Sequence, residues 1–238
     1  MQAKFEAGDK GAAVRALRAL LAEKFPSPSA RANGVFPVAL GGGQEPEQEP
    51  ERKPELELPR GRVTEATGST GSGALFLEAL LKAVTAARGM MALVDGTGGY
   101  DPAGETGRLL WVLCQGAQAA IRAADLLLRD GNLPLVVLDL LMNPAAELRR
   151  IPAATWYRFQ RILEHSTTVF VVLTPKPLVS SAAERLLLRN RWTLHALRQP
   201  RAKLSLELER VQRGQSRAGG AGRMGGGLEF FPRDRQIA

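Results

Sequence analysis

The feature that most constrains the fold of this chain is a series of continuous apolar runs separated by stretches with helical periodicity. Runs such as 133–139 and 168–173 lack polar alternation, which is typical of strands buried on both faces. This succession predicts an α/β fold whose mainly parallel sheet is flanked by helices. The predicted strands are 62–67, 90–94, 109–114, 133–139 and 168–173, and the predicted helices between them are 73–88, 117–129 and 153–164.

Composition divides the chain into four parts. Residues 1–40 form a predicted N-terminal helical segment, and 41–58 are rich in Glu, Pro and Gly, as in a polar, disordered linker. The folded core is predicted at 59–190. Residues 191–238 combine a period-two pattern at 192–197 and 203–211, typical of an antiparallel extension, with a basic tail that we expect to be partly disordered.

The N-terminal segment contains one amphipathic helix, predicted from Asp9 to about Lys24. A lone helix of this length is marginally stable in water, so we expect its apolar stripe to be covered. The stripe packs either on the chain's own core or on another subunit, which makes it a candidate interaction surface. Its residues are Val14, Leu17, Leu20 and Leu21.

The net charge of +8 is concentrated near the C-terminus. From Arg185 onward there are twelve Lys or Arg and four Asp or Glu, so the preceding residues are balanced overall. This asymmetry indicates contact with a polyanion or an acidic protein surface, although a solvated Arg-rich tail would have the same composition. The candidate contacts with a partner or with DNA are Arg198, Arg201, Arg210, Arg213, Arg217, Arg223, Phe230 and Phe231.

Cysteine and histidine are scarce, which excludes several classes of site. The single Cys114 rules out an intramolecular disulfide and is typical of a reducing compartment. Only His165 and His195 accompany it, so the sequence predicts no structural metal site. No apolar run approaches the roughly 18 residues of a membrane span, and we therefore expect a cytoplasmic protein without a membrane partner.

A glycine-rich stretch, Gly68 to Leu75, follows the first predicted core strand. It has the glycine spacing of a phosphate-binding loop, a motif that a Lys and then a Ser or Thr complete. Here Ala74 replaces the Lys that neutralises phosphate, and Leu75 replaces the hydroxyl that holds Mg²⁺. With Gly68, Gly71 and Gly73 they form a degenerate phosphate loop, which either retains weak nucleotide binding or is only a strand-to-helix turn.

Asp139 ends the apolar run 135–139, where phosphate-loop enzymes place the carboxylate that organises Mg²⁺. It is therefore the candidate remnant of a Walker B motif. The alternative is that its carboxylate binds a nearby backbone N–H and caps the next segment. Because the Lys and the hydroxyl are missing, we expect no catalytic residue, no bound metal and no cofactor.

Two segments of the core resemble RecA. Residues 58–65, Leu-Pro-Arg-Gly-Arg-Val-Thr-Glu, resemble the approach to the RecA nucleotide loop. Residues 95–102, Asp-Gly-Thr-Gly-Gly-Tyr-Asp-Pro, look like the segment with the catalytic Glu, but Thr97 stands in place of that Glu. Thr174-Pro175 stands where RecA has its nucleotide-sensing Asn-Gln. The resemblance implies a RecA-like P-loop core that does not hydrolyse ATP.

The runs 109–112, 123–129 and 135–140 are similar to the ImuA family in particular, which is related to RecA and SulA. This resemblance implies a non-hydrolytic adaptor in the SOS response to DNA damage, acting in mutagenic translesion synthesis at the nucleoid. The implied partner is ImuB, a catalytically inactive Y-family polymerase homologue. Further candidate partners are an error-prone C-family polymerase, RecA, DNA and a second copy of the chain.

Other interpretations stay open at this point. A DNA-binding recombination mediator would use the C-terminal Arg residues on DNA, and a SulA-like inhibitor of cell division would bind FtsZ. A divergent ATPase would need a compensating Lys, and Lys82 points away from the glycine-rich stretch. Trp156 and Tyr157 either stack on bases or pack a helix against the sheet.

Overall fold

The computed structural model describes residues 34–40, 55–101, 107–190, 192, 198–199 and 204–211. In chain order the elements are β1 (Val35–Ala39), β2 (Glu55–Pro59), β3 (Val63–Thr67), α1 (Thr70–Ala86), β4 (Met91–Asp95), β5 (Leu109–Leu113), α2 (Ala117–Asp130), β6 (Leu135–Asp139), α3 (Ala145–Leu148), α4 (Ala153–Leu163), β7 (Val169–Thr174), β8 (Glu184–Leu188) and β9 (Leu208–Val211). The predicted N-terminal helix lies outside the described residues.

Seven strands form one sheet in the order β5-β4-β6-β7-β3-β8-β9. All neighbours in it are parallel except β8 and β9, which run antiparallel. The α/β fold with a mainly parallel sheet is therefore confirmed, and its architecture is compatible with a RecA-like core. The register of β4 and β6 places Asp95 opposite Asp139, so the two carboxylates end neighbouring strands at the carboxyl edge of the sheet.

Strands β4, β6 and β7 are apolar up to their last residue because helices cover both faces of the sheet. Along β6, Val136 and Leu138 belong to the cluster that includes Trp156 of α4. Val137 belongs to the opposite cluster, which includes Phe76 of α1. Continuous apolar sequence is thus required by burial on both sides, as the sequence predicts for parallel strands.

Residues 55–58, which the sequence assigned to the polar linker, form part of strand β2. This strand pairs antiparallel with β1, a strand inside the segment predicted to be helical. The inward side chains of the pair, including Leu56 and Leu58, are buried among α1 and the sheet, and Glu57 alternates with them. The acidic composition concealed this period-two pattern, and the folded unit begins before residue 59.

The C-terminal side of the sheet was only partly predicted. Strand β9 confirms an antiparallel extension within the predicted stretch 203–211, and it pairs with β8, which the sequence did not predict. Only Leu186 and Leu188 of β8 are fully buried, so its pattern is mixed rather than continuously apolar. Of the other predicted strand, 192–197, the structure describes Trp192 alone.

Candidate functional site

The turns after β3, β4, β6 and β7 meet at the carboxyl edge of the sheet, where open α/β proteins bind their ligands. The degenerate phosphate loop, Thr97, Asp139 and Thr174 all lie in or beside these turns. The fold therefore places the core site residues that the sequence predicted along one edge of the sheet. The chemistry that this edge can support depends on the side chains and backbone groups in each turn.

The turn between β3 and α1 contains two residues, Gly68 and Ser69. Ser69 is the N-cap of α1, and its Oγ accepts a hydrogen bond from the Ser72 N–H at 3.4 Å. Gly71 and Gly73 lie within the first turn of the helix, and the Gly73 N–H donates to the Ser69 carbonyl at 2.9 Å. The sequence predicted the helix from residue 73 and left open a nucleotide-binding loop or a strand-to-helix turn; the capping serine starts the helix at Thr70 and leaves a tight turn.

Residues from the C-terminal side of the sheet cover the first turn of α1. A Cβ atom added to Gly71 would lie 2.8 Å from Trp192 Nε1, and one added to Gly68 would meet the Leu188 side chain. The Ser72 hydroxyl donates to the Asn190 carbonyl at 3.4 Å. Leu188, Asn190 and Trp192 therefore lie against one side of the first turn, while Ser69, Thr70 and Gly71 at the helix N-terminus stay exposed.

The two substituted positions of the motif supply no charge at this turn. Ala74 lies on α1, and Leu75 is 9% exposed, so its side chain belongs to the interior. Lys82 lies about 18 Å along the helix from its first residue, at 1.5 Å per residue. Its ammonium pairs with Glu78 at 2.8 Å. The divergent-ATPase interpretation requires a Lys at the turn. Lys82 is far from the turn, and its ammonium is already paired with Glu78.

Asp95 organises the turn after β4. Its carboxylate is 2% exposed, and Oδ1 accepts hydrogen bonds from the N–H groups of Thr97 at 3.0 Å and Gly98 at 2.8 Å. Oδ2 accepts from the Tyr100 N–H at 3.1 Å. Both oxygens are therefore used to fold the Gly-rich turn, in which Thr97 provides no carboxylate to activate water.

Asp139 caps the segment after β6, as the structural alternative predicts. Its Oδ1 accepts a hydrogen bond from the Leu141 N–H at 2.9 Å. Burial raises the pKa of Asp139 to about 6; the Leu141 hydrogen bond opposes that rise and the charge of Asp95 adds to it. Among the described residues, no group of three or more His, Cys, Asp or Glu side chains could hold a metal ion.

A polar network beside Asp139 was missed by the sequence analysis. Glu147 Oε2 accepts from the Ala117 N–H at 2.8 Å, so a side chain of α3 caps α2. Asn143 donates to the same oxygen and to the Gly96 carbonyl, both at 3.3 Å. The network joins the turns after β4, β5 and β6, and its members are separated too widely in sequence to form a recognisable motif.

A second missed feature is the buried carboxylate of Glu65 in the middle of β3. Its Oε2 pairs with Arg185 Nε of β8 at 2.9 Å. Its Oε1 accepts from the Thr174 hydroxyl at 3.1 Å and from the Val179 N–H at 2.9 Å. Thr174, in the place of the RecA nucleotide sensor, therefore takes part in holding the chain between β7 and β8.

Most residues of the two predicted interaction surfaces lie outside the described residues. This applies to Val14, Leu17, Leu20 and Leu21, and to Arg201, Arg213, Arg217, Arg223, Phe230 and Phe231. Arg198 is described and exposed. Arg210 is held within the fold, because it pairs with Glu184 at 2.6 Å and donates to the Glu57 carbonyl at 2.6 Å.

Trp156 and Tyr157, which allowed two interpretations, are now distinguished. Trp156 is 1% exposed and belongs to the core, whereas Tyr157 is 55% exposed and does not pack the helix on the sheet.

Burial, with a smaller contribution from Asp95, raises the pKa of the Cys114 thiol to about 11, and Arg122 opposes this. Cys114 is therefore a packing residue rather than a reactive thiol.

No protein-family model matches this chain, and no curated protein matches it either. Within the described part of the chain, none of the helices combines the length and the apolar character needed to cross a membrane.

Proposed function

We propose that this protein is a non-hydrolytic, RecA-like adaptor in damage-induced mutagenesis, of the kind that the ImuA resemblance implies. It would act by recruitment, joining an inactive Y-family polymerase homologue to a second protein such as RecA or another copy of itself. The proposal includes no ATP turnover and no cofactor. Its place of action would be the nucleoid, where translesion synthesis occurs.

The observation that carries this proposal is the tight, serine-capped turn at the start of α1, which lacks both the Lys and the hydroxyl of a phosphate loop. Trp192 lies against Gly71, Leu188 lies against Gly68, and the positions of the phosphate-binding Lys and the metal-binding hydroxyl are Ala74 and Leu75. Asp95 and Asp139, the acidic residues at this edge, accept hydrogen bonds from backbone N–H groups. A site arranged in this way favours binding through surfaces over chemistry at the sheet edge.

The concentration of positive charge after Arg185 supports a C-terminal role in capturing a partner. Within that region, Arg189 pairs with Glu209 and Arg210 pairs with Glu184, so these two guanidinium groups stabilise the β8–β9 pair. We therefore assign capture to the residues after β9, which include Arg213, Arg217 and Arg223.

The test is retention of a purified ImuB-type polymerase homologue on the immobilised chain. A chain ending at Gln212, which keeps β9 whole, should lose the partner. A full-length variant with Arg213, Arg217 and Arg223 changed to Gln should retain it less well, because the charge is lost while the length is kept. The control is Arg122→Gln, which removes one charge from the exposed surface of α2.

Undiminished retention by the chain ending at Gln212 would contradict the C-terminal placement. Failure of the unaltered protein to retain any such homologue would contradict the adaptor function itself. The two results are distinguishable because the first depends on the variant and the second does not.

A further inference from the structure

An open groove runs along the outer face of α4, on the side of the molecule that the adaptor proposal does not use. Its lining consists of Arg129 from the end of α2 and of a helical stripe from α4 and the residues just after it. The lining residues are Arg129, Ala154, Tyr157, Arg158, Arg161, Ile162 and His165. The stripe covers about 16 Å of helix, at 1.5 Å per residue.

The groove is positively charged and its basic side chains are exposed. Asp125 Oδ2 binds Arg129 Nε at 2.8 Å, and Asp125 Oδ1 binds Arg158 Nε at 2.9 Å. A single carboxylate thus orients two guanidinium groups without neutralising both. Arg161 has no ion-pair partner among the described residues, and Glu164 borders the groove without lining it.

Tyr157 gives the groove an aromatic surface beside these charges. Its side chain is 55% exposed, although the neighbouring Trp156 and Phe159 of the same helix are fully buried. A large aromatic ring that stays more than half exposed beside Arg158 and Arg161 contributes little to the core of this fold. A ring and several guanidinium groups along one groove are the elements from which proteins build binding sites for single-stranded nucleic acid.

We propose that this groove binds single-stranded nucleic acid, with Arg129, Arg158 and Arg161 on the phosphates and a base stacked on Tyr157. An acidic peptide would match the charge equally well. The exposed ring flanked by arginines favours the nucleic acid, because every base offers a face on which the ring can stack. The inference concerns a different surface from partner capture, so either proposal can fail while the other holds.

The experiment measures binding of the full-length chain to a fluorescent oligothymidylate as a function of salt. Tyr157→Leu should weaken binding about fivefold or more, since a stacked base contributes on the order of 1–3 kcal/mol. Arg161→Gln should reduce the slope of log K against log salt by about 0.7, the value for one phosphate contact on a single strand. Circular dichroism should show both variants to be folded, because both side chains are exposed.

Arg122→Gln is the matched control, since it removes the same charge from the exposed surface of α2 outside the groove. It should leave the affinity and the salt slope unchanged. The proposal is overturned if Tyr157→Leu has no effect, if Arg122→Gln acts like Arg161→Gln, or if an acidic peptide displaces the oligonucleotide from the groove with higher affinity.

A second measurement separates the groove from the basic C-terminal tail, which is expected to attract nucleic acid without specificity. Ultraviolet cross-linking to a bromodeoxyuridine oligonucleotide, followed by mass spectrometry, identifies the peptides in contact with bases. We expect cross-links on the peptide of 153–165 that disappear in Tyr157→Leu. Cross-links confined to residues after 211 would overturn the proposal.

Discussion

At the scale of single residues, Gly61 is a position where both the backbone conformation and nearby backbone atoms oppose a side chain. Its φ is +68°, and an added Cβ would lie 2.9 Å from the Ser166 carbonyl oxygen and 3.1 Å from that of Leu163. Both obstacles are backbone atoms, which cannot move aside as a side chain can. Gly61→Ala should therefore cost roughly 2–4 kcal/mol in the free energy of unfolding, measured by urea titration, from backbone strain and the close contacts together.

Gly131 provides the matched control for this prediction. It ends α2 with a φ of +71°, and an added Cβ would have no atom within 4 Å. Gly131→Ala should cost only the backbone strain, about 1 kcal/mol. Equal losses of unfolding free energy in the two variants would show that a Cβ added at Gly61 does not clash with the neighbouring backbone oxygens.

Asp139 makes the stability of the protein dependent on pH. Its folded-state pKa of about 6 lies above 3.8, the usual pKa of an aspartic acid side chain, so the folded form binds the proton more tightly. The stabilising contribution is complete below about pH 4 and is lost as the pH rises through 6, by up to about 3 kcal/mol. Asp139→Asn keeps an acceptor for the Leu141 N–H and should remove this dependence.

Urea unfolding of both proteins from about pH 4 to pH 8 provides the measurement. The difference between variant and unaltered protein should move in favour of the variant as the pH rises. A difference that stays constant across this range would contradict the raised pKa.

At the scale of elements, the pair Glu65–Arg185 connects β3 with β8. Glu65 is fully buried, and removing its partner leaves a carboxylate without a counter-ion in the interior. Arg185→Met should therefore destabilise the protein by about 3 kcal/mol in urea unfolding. The double variant Glu65→Gln, Arg185→Met should recover part of this loss, because the glutamine still accepts from Thr174 and Val179. A loss below about 1 kcal/mol in the single variant would contradict this assignment.

The elements that the sequence predicted correctly are those with one dominant physical signal. Strand β6, with no polar residue before Asp139, could only be buried on both faces, and α2 combined an apolar stripe with Gly131 at its end. Strand β8 contains Glu184 and Arg185, whose partners come from distant segments, so its burial could not be recognised locally. Strand β2 alternates acids with leucines inside a segment whose average composition resembles a linker.

The strand ends that carry the candidate site could be located from the sequence, but the side chains that pack around them could not. The sequence placed the glycine-rich stretch after one strand and Asp139 at the end of another, and in the structure both lie at the carboxyl edge of the sheet. The same glycines did not reveal that Ser69 would start the helix early or that Trp192, more than a hundred residues away, would occupy the adjoining space. Long-range packing of this kind has no local signature, since the two segments meet only when β8 pairs with β3.

At the scale of the whole molecule, separate regions of the protein have separate proposed tasks. The sheet and its helices form a scaffold in which Asp95 and Asp139 at the carboxyl edge accept hydrogen bonds from backbone N–H groups, and the excess positive charge lies from Arg185 onward. The exposed groove on α4 is a second surface on that scaffold. Under the adaptor proposal, these surfaces would hold partners together and the sheet edge would convert no substrate.

The central claim is that the degenerate phosphate loop does not bind nucleotide. Isothermal titration of the full-length protein with ATP and Mg²⁺ tests this claim most directly. The account predicts no binding tighter than about 1 mM, which corresponds to roughly −4 kcal/mol. Micromolar affinity, accompanied by phosphate release that Asp139→Ala abolishes, would contradict it.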